Sequence, residues 1–265
     1  MDVKEIERSI IKTYKTKIFG KFLKAIKQYE MIKDGDKIAV CISGGKDSFL
    51  LAKCMQELKI HSRYKFDLVF LVMDPGYEKE NLNKIKENLE KLNIPATIYQ
   101  SNIFEQIKDT NSICYMCARK RRGSLYAKAQ ELGCNKIALG HHFDDVIETI
   151  MLNIIYAGEY KTMMPKLKST NFENMELIRP LYFIKEKDII SWKHHCKLDF
   201  LDCACTITKK QTGKRKEIKE MIENLRKIDK NTDIHILRSS ENINLDAVLG
   251  YKTKEKQYSF MEDYD

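Results

Sequence analysis

Lys37-Ile38-Ala39-Val40-Cys41-Ile42-Ser43-Gly44-Gly45-Lys46-Asp47-Ser48 is the stretch that decides the fold. Its first half is a short, unbroken apolar run, the pattern of a strand covered on both faces. Its second half is a glycine-containing loop that opens a helix, expected from Asp47 to about Leu58. Glycine permits positive φ and lets the backbone come close to a ligand. The unpaired N–H groups and dipole of the helix start favour an anion. Ser43 and Ser48 can donate hydrogen bonds to phosphate oxygens, and Lys46 adds a point charge. The spacing matches neither G-x-x-x-x-G-K-[ST] nor G-x-G-x-x-G, and a plain Gly-Gly turn opening a helix is the bland reading of the same residues.

Outward from this stretch, helices and strands alternate. A turn at Asp34-Gly35-Asp36 precedes it. Residues 67–74 form a second apolar run, 79–92 a helix, 96–100 a third strand and 136–139 a fourth. Residues 103–117 read as a short helix and a loop. A helix over 119–132 is stopped by Gly133, and a long apolar helix covers 144–156. Alternation of this kind predicts an α/β fold, a parallel sheet flanked by helices. Before it, residues 5–32 read as a basic amphipathic helix interrupted near Gly20. After Gly158 come a loop with Pro165 and Pro180, helices at 185–195 and 215–228, and a tail with little period that ends acidic. The expected organisation is therefore an N-terminal basic helical region (1–34), an α/β sheet domain (35–184) and a C-terminal helical region (185–265).

Composition narrows the class. The 265 residues are 43% hydrophobic, enough for a core, which argues against wholesale disorder. No apolar run approaches the roughly 20 residues of a membrane helix. The first residues mix acids with bases and lack the layout of a secretory signal, so a cytoplasmic protein without a membrane partner is expected. The net charge of +9 points to a polyanion such as nucleic acid, or equally to lysine-rich codon usage. Basic stretches lie in the N-terminal helix, at 119–122, and at Lys209, Lys210, Lys214, Arg215, Lys216 and Lys219.

Eight cysteines in a reducing compartment are not a disulfide frame. Cys114-Tyr115-Met116-Cys117 precedes the helix that opens Ala118-Arg119-Lys120-Arg121-Arg122, and Cys203-Ala204-Cys205 follows far downstream. Thiols beside several cations and a helix start are acidified. Spacing leaves three readings open: a [4Fe–4S] cluster on Cys114, Cys117 and one of Cys203 or Cys205, a zinc site on all four, or a redox dithiol on the first pair. Cys41, Cys54, Cys134 and Cys196 read as packing residues. A second constellation, Gly140-His141-His142-Phe143-Asp144-Asp145, follows the fourth strand and opens a helix. Ligands of open α/β sheets bind beyond the strand carboxyl ends. Asp144 could simply cap its helix, or the group could contact nucleotide or metal. Tyr115 or Phe143 could stack a base.

The 43–48 hexapeptide resembles the PP-loop of the ATP pyrophosphatases, which cleave ATP between the α- and β-phosphates and adenylate a substrate oxygen. Ser43–Ser48, Cys114-x-x-Cys117, Arg121-Arg122-Gly123, Ala138-Leu139-Gly140-His141-His142 with Asp144-Asp145, and Ile178-Arg179-Pro180-Leu181 occur in the order seen in the TtcA family of tRNA 2-thiocytidine biosynthesis proteins. The resemblance covers roughly residues 20–230. It implies an adenine nucleotide α-hydrolase-like, Rossmann-like fold. ATP and Mg²⁺ would be bound through Ser43, Gly44, Gly45, Lys46, Asp47, Ser48, Gly140, His141, Asp144 and Asp145. A [4Fe–4S] cluster on Cys114, Cys117 and Cys203 would take part in catalysis with Lys46 and Asp47. The substrate would be cytidine 32 of tRNA, the sulfur would come from a cysteine desulfurase, and the family is often a homodimer. Cys203 is preferred to Cys205 because it aligns best, although the family pattern there often reads Cys-x-x-Cys. The last 35 residues match nothing in the family. Two other readings stay open: an iron–sulfur PP-loop enzyme acting on another RNA position or a small molecule, and a metal-containing RNA-binding protein without turnover.

Overall fold

In the computed structural model, β1 (Lys37–Ile42) lies inside a six-stranded sheet whose order is β3 (Ala96–Gln100), β2 (Asp67–Asp74), β1, β4 (Lys136–Ala138), β6 (Glu176–Ile178), β5 (Lys166–Lys168). The described residues are 1–101, 113–201 and 213–264, without the side chains of 113–118 and 263. The chain divides into two compact units, Met1–Val146 with Met163–Gly213 and Ile147–Thr162 with Lys214–Asp265.

The first unit carries the sheet. β1 pairs in parallel with β2 (Asp67–Asp74) and β4 (Lys136–Ala138), β2 with β3 (Ala96–Gln100), and β4 with β6 (Glu176–Ile178). β5 (Lys166–Lys168) closes the edge antiparallel to β6. Period-two alternation sorts the strand residues between faces. Ala39 and Cys41 meet Tyr126 and Ala129 of α5 (Ile113–Glu131) together with Leu71, Ile137 and Leu177. The alternate residues Ile38, Val40 and Ile42 are equally buried on the face covered by α3 (Lys46–His61). There Phe49 stacks on Phe200 at 4.9 Å, and Phe200 on Trp192 of α7 (Glu186–His195) at 6.4 Å. The expected parallel α/β sheet is thus present, with β5 and β6 added. α4 (Lys79–Lys91) joins β2 to β3.

The basic N-terminal segment is helical but interrupted more than its periodicity predicts. α1 (Val3–Arg8) and α2 (Gly20–Gln28) flank two π-helical turns, Ser9–Thr13 and Lys15–Phe19. The turns bury Ser9, Ile10, Ile18 and Phe19, and Ser9 Oγ accepts a hydrogen bond from Trp192 Nε1 at 3.2 Å. Its apolar stripe is a packing face, as expected of an amphipathic helix on a globular body.

The amino ends of β1 and β4 are tied by a buried polar cluster. Lys136 Nζ lies 2.7 Å from Asp36 and 3.4 Å from Glu176, and donates to the Met31 carbonyl at 2.8 Å. Asn135 donates to Asp36 at 2.8 Å and accepts from the Lys37 N–H at 2.9 Å. Burial opposes ionisation of Asp36, but Lys136, the Lys33 N–H and Asn135 outweigh it and hold the carboxyl below its ordinary pKa. Asp36 therefore contributes stability above the ordinary carboxylate value of about 3.9, and loses it as pH falls through the lower folded value. Lys136→Met strands two carboxylates, and is expected to cost about 3–5 kcal/mol at pH 7. Urea melts at pH 7 and pH 3 test this; a variant within about 1 kcal/mol of the parent at pH 7, on the scale of a surface pair, would sink it.

The second unit takes in the end of α6 (Phe143–Leu152), a π-helical turn at Asn153–Ala157, α8 (Lys214–Ile228), α9 (Thr232–Ser239) and a hairpin of β7 (Gly250–Lys252) and β8 (Gln257–Ser259). Arg215 pairs with the buried Glu148 at 2.8 Å, Arg226 with Asp233 at 2.5 Å, and Tyr156 donates to Glu217. No described helix is long and apolar enough to cross a membrane.

Candidate active site

The strand order reverses between β1 and β4, where two neighbouring strands send their connections to opposite sides and open a crevice at their carboxyl ends. A cleft of about 300 Å³ lies at that place. It is lined by Cys41, Ile42, Ser43, Asp47 and Ser48 from the first loop, by Leu139, Gly140, His141 and Asp145 from the second, and by Met73, Arg121 and Leu125. Its size is at the lower end of the range for small-ligand sites.

Local bonding shapes the first loop. Gly44 sits at φ +93°, and a Cβ there would stand 3.0 Å from Ile85 and Leu201 side-chain carbons, so both conformation and space demand glycine. Ser48 Oγ donates to the Gly45 carbonyl at 2.8 Å and accepts from the Ser43 N–H at 3.1 Å, folding the loop over the start of α3. Gly45 caps that helix without a side-chain partner for the first-turn N–H groups. Gly140 brings the second loop against the first: a Cβ would stand 3.1 Å from the backbone of Asp47 and Ser48.

Asp47 is the charged group of most interest. Its Oδ1 is buried and accepts no hydrogen bond, while its Oδ2 lies 3.3 Å from Lys46 Nζ. Burial pushes its carboxyl above the ordinary range, against the pull of His142, whose Nε2 is 3.8 Å away, and of Lys46. Lys46 does not line the cleft. Its ammonium reaches Glu186 of α7 at 3.0 Å, and although burial opposes its charge, Asp47 and Glu186 raise its pKa.

The His-His-Asp-Asp run divides its work. The His142 N–H donates to Asp145 Oδ2 at 2.9 Å, and the Asp145 N–H to His142 Nδ1 at 3.5 Å, a reciprocal cap on α6. Asp144 is buried and accepts the Glu186 N–H at 2.6 Å, so it caps α7 rather than its own helix. His141 lines the cleft, and the buried Arg179 donates from Nε to its Nδ1 at 3.4 Å, leaving Nε2 as the nitrogen that carries the proton. Phe143 is buried with Lys185 against its ring at 5.5 Å, a packing position.

Met73 and Arg121 of the cleft wall, and Arg179 beside His141, were not among the expected nucleotide contacts. Met73 is the penultimate residue of β2, beside β1. Arg121 donates to the Tyr77 hydroxyl at 2.8 Å, and Tyr77 is itself placed by Asp74, whose carboxylate accepts the Gly76 and Tyr77 N–H groups at 2.9 and 2.7 Å. Arg179 acts through His141. The available signal was the position of β2 next to the switch point.

The cysteines fall into two groups. Cys41, Cys54, Cys134 and Cys196 are buried, and burial raises all four thiols, Cys41 to about 12. Cys114 and Cys117 lie within the first five residues of α5, not ahead of it: the helix starts at Ile113, six residues before its expected start. No glycine or proline between 113 and 118 interrupts it, so the cysteine pair is helical where the sequence predicts the end of a loop. Cys203 and Cys205 lie outside the described residues, as do Lys209 and Lys210.

The PP-loop domain family matches residues 14–226. A tRNA-cytidine(32) 2-sulfurtransferase of Citrifermentans bemidjiense is 36% identical over 214 residues, 79% of this chain and 84% of that protein. Another, from Geotalea uraniireducens, is 33% identical over 243 residues, 90% of this chain and 96% of that one. The chain belongs to the tRNA-cytidine(32) 2-sulfurtransferase family. Its fold is also that of the U34-tRNA thiolase NcsA from Methanococcus maripaludis, solved with its [4Fe-4S] cluster. That match has a TM-score of 0.66 at 23% identity, over 84% of this chain and 76% of that one. Within the sulfurtransferase family's PP-loop domain, the glycine loop and the Gly-His-His loop described above are the two walls of one crevice.

Proposed function

We propose that the protein is an ATP-dependent tRNA sulfurtransferase that converts cytidine 32 to 2-thiocytidine. The observation that carries this is the joining of the 43–48 loop and the 140–145 loop across the strand switch point, in a chain of this family. The free N–H groups at the start of α3 would take the β- and γ-phosphates, the part that leaves as pyrophosphate. The cytidine 2-oxo oxygen attacks the α-phosphorus, the bond to the β-phosphate oxygen breaks, and sulfide then displaces AMP from the activated carbon. His141, with its Nε2–H fixed by Arg179, donates into the cleft.

The donors present fit the groups this chemistry needs. The buried Asp47 oxygen that accepts no hydrogen bond would take a divalent cation, Mg²⁺ on this reading, which would supply charge neutralisation on the phosphates. Cys114 and Cys117 are three residues apart in the helix that also carries Arg121 and Leu125 of the cleft wall. The Leu201 N–H, two residues before Cys203 in the chain, donates to the Gly44 carbonyl at 3.2 Å. When bound to Cys114, Cys117 and Cys203, a [4Fe–4S] cluster supplies an iron site open to sulfur. A cysteine desulfurase is the expected sulfur source.

Purified protein should release pyrophosphate from ATP only when tRNA is added. Nucleosides from a strain lacking the gene should contain no 2-thiocytidine until the wild-type gene is restored. An unchanged 2-thiocytidine content in the deletion strain would overturn the assignment.

A further inference from the structure

α5 is a wall of two clefts. Arg121 and Leu125 face the ATP cleft, while Arg119, Arg122, Gly123 and Tyr126, recurring at three- and four-residue steps, line a second cleft of about 700 Å³ closed on its other side by the β5–β6 hairpin. We propose that this second cleft seats a single-stranded RNA segment, its phosphates against Arg119, Lys120, Arg122 and Lys168 and a base against the Tyr126–Phe172 stack. The inference rests on the tRNA-substrate reading and adds where on the protein the RNA lies.

Charge is the first argument. Four cations line the cleft and no carboxylate does. α5 has no acidic residue from its start to Gln130, so this stretch of helix is basic throughout. Buried Arg179 feels the same excess: burial and then Arg122 lower its pKa to about 10, and an anion in the cleft would relieve that repulsion. The aromatic pair is the second argument. Tyr126 is buried and Phe172 half-buried; their rings stack at 5.1 Å with 13° between planes. Both rings line the cleft. Ser169 Oγ accepts the Phe172 N–H at 3.1 Å and pins the turn that presents it. A basic groove with a fixed aromatic platform suits unpaired nucleotides, whose bases stack on such rings without sequence preference.

The test uses fluorescence anisotropy with labelled tRNA across a salt series, and separate binding of a non-hydrolysable ATP analogue. Arg119→Ala with Lys168→Ala removes one exposed cation from each wall. It should weaken tRNA binding at least tenfold and lower the slope of log K against log[salt] by about two, with analogue binding unchanged. Phe172→Ala should weaken tRNA binding about tenfold and leave the salt slope as it was. Wild-type affinity and slope in the double variant would overturn the cleft assignment alone. A wild-type protein that binds the analogue but no tRNA would overturn the RNA-substrate reading on which it rests. Binding of an acidic peptide in place of tRNA would overturn it in favour of a protein partner.

Discussion

Asp47→Asn is expected to lose about a hundred- to a thousandfold in tRNA-dependent pyrophosphate release while unfolding at or above the parent's temperature. The size follows from what removal of one preorganised electrostatic group at a reacting phosphate does to turnover. The stability follows from the local account. Asp47 Oδ1 is buried without a hydrogen-bond donor, and burial raises the carboxyl's pKa despite His142 and Lys46 nearby. An unmet carboxylate oxygen in such a place is a cost to the fold, and the near-isosteric amide removes the charge that makes it so. Improved stability with lost activity is the signature of a group kept for function. The pair of measurements, phosphate-release kinetics and thermal unfolding, separates this from a structural role. A variant that loses both activity and about 3 kcal/mol of stability would assign Asp47 to the fold instead.

Cys114→Ala and Cys117→Ala should each reduce 2-thiocytidine formation to background and leave binding of an ATP analogue intact. Anaerobically purified parent protein should be brown, with roughly four iron atoms per chain, and each variant should be pale and iron-poor. Both positions are inside α5, where alanine is the most favourable helix former, so the fold should hold. The buried thiols are the internal controls: Cys54→Ala removes packing volume but should keep full iron content. Colourless parent protein carrying stoichiometric zinc would replace the cluster reading with a closed structural site, and normal thiolation in either variant would remove these cysteines from the mechanism.

Much of the architecture was legible because local pattern and tertiary burial agree. Strands at 67–74 and 96–100 fall where the apolar runs place them, and α3 and α4 begin and end within a few residues of expectation. β5 and β6 were not legible. They are three residues each, too short for a period, and Lys166 and Lys168 read as loop although lysines are natural on an edge strand. The helix α5 starts at Ile113, ahead of the 119 that the sequence predicts, in a stretch with no clear apolar period.

The candidate site shows the same division at the level of single residues. Ser43, Gly44, Gly45 and Ser48 are close in sequence, and their mutual bonding is local, so the chain's own order determined a glycine loop between a strand and a helix. The thiol pair and the Gly-His-His loop were also readable as motifs. Only the tertiary structure decided how the neighbours divide their tasks. Gly140 is needed because a second strand brings its loop within van der Waals contact of Asp47 and Ser48. Asp144 caps α7, and Lys46 pairs with Glu186, because that helix packs beside the loops from about 40 and 140 residues away in sequence. Arg179 fixes the proton on His141 from the end of β6. Hydrogen bonds and close approaches between segments distant in sequence leave no periodic trace in it, whereas strand burial and helix amphipathicity do.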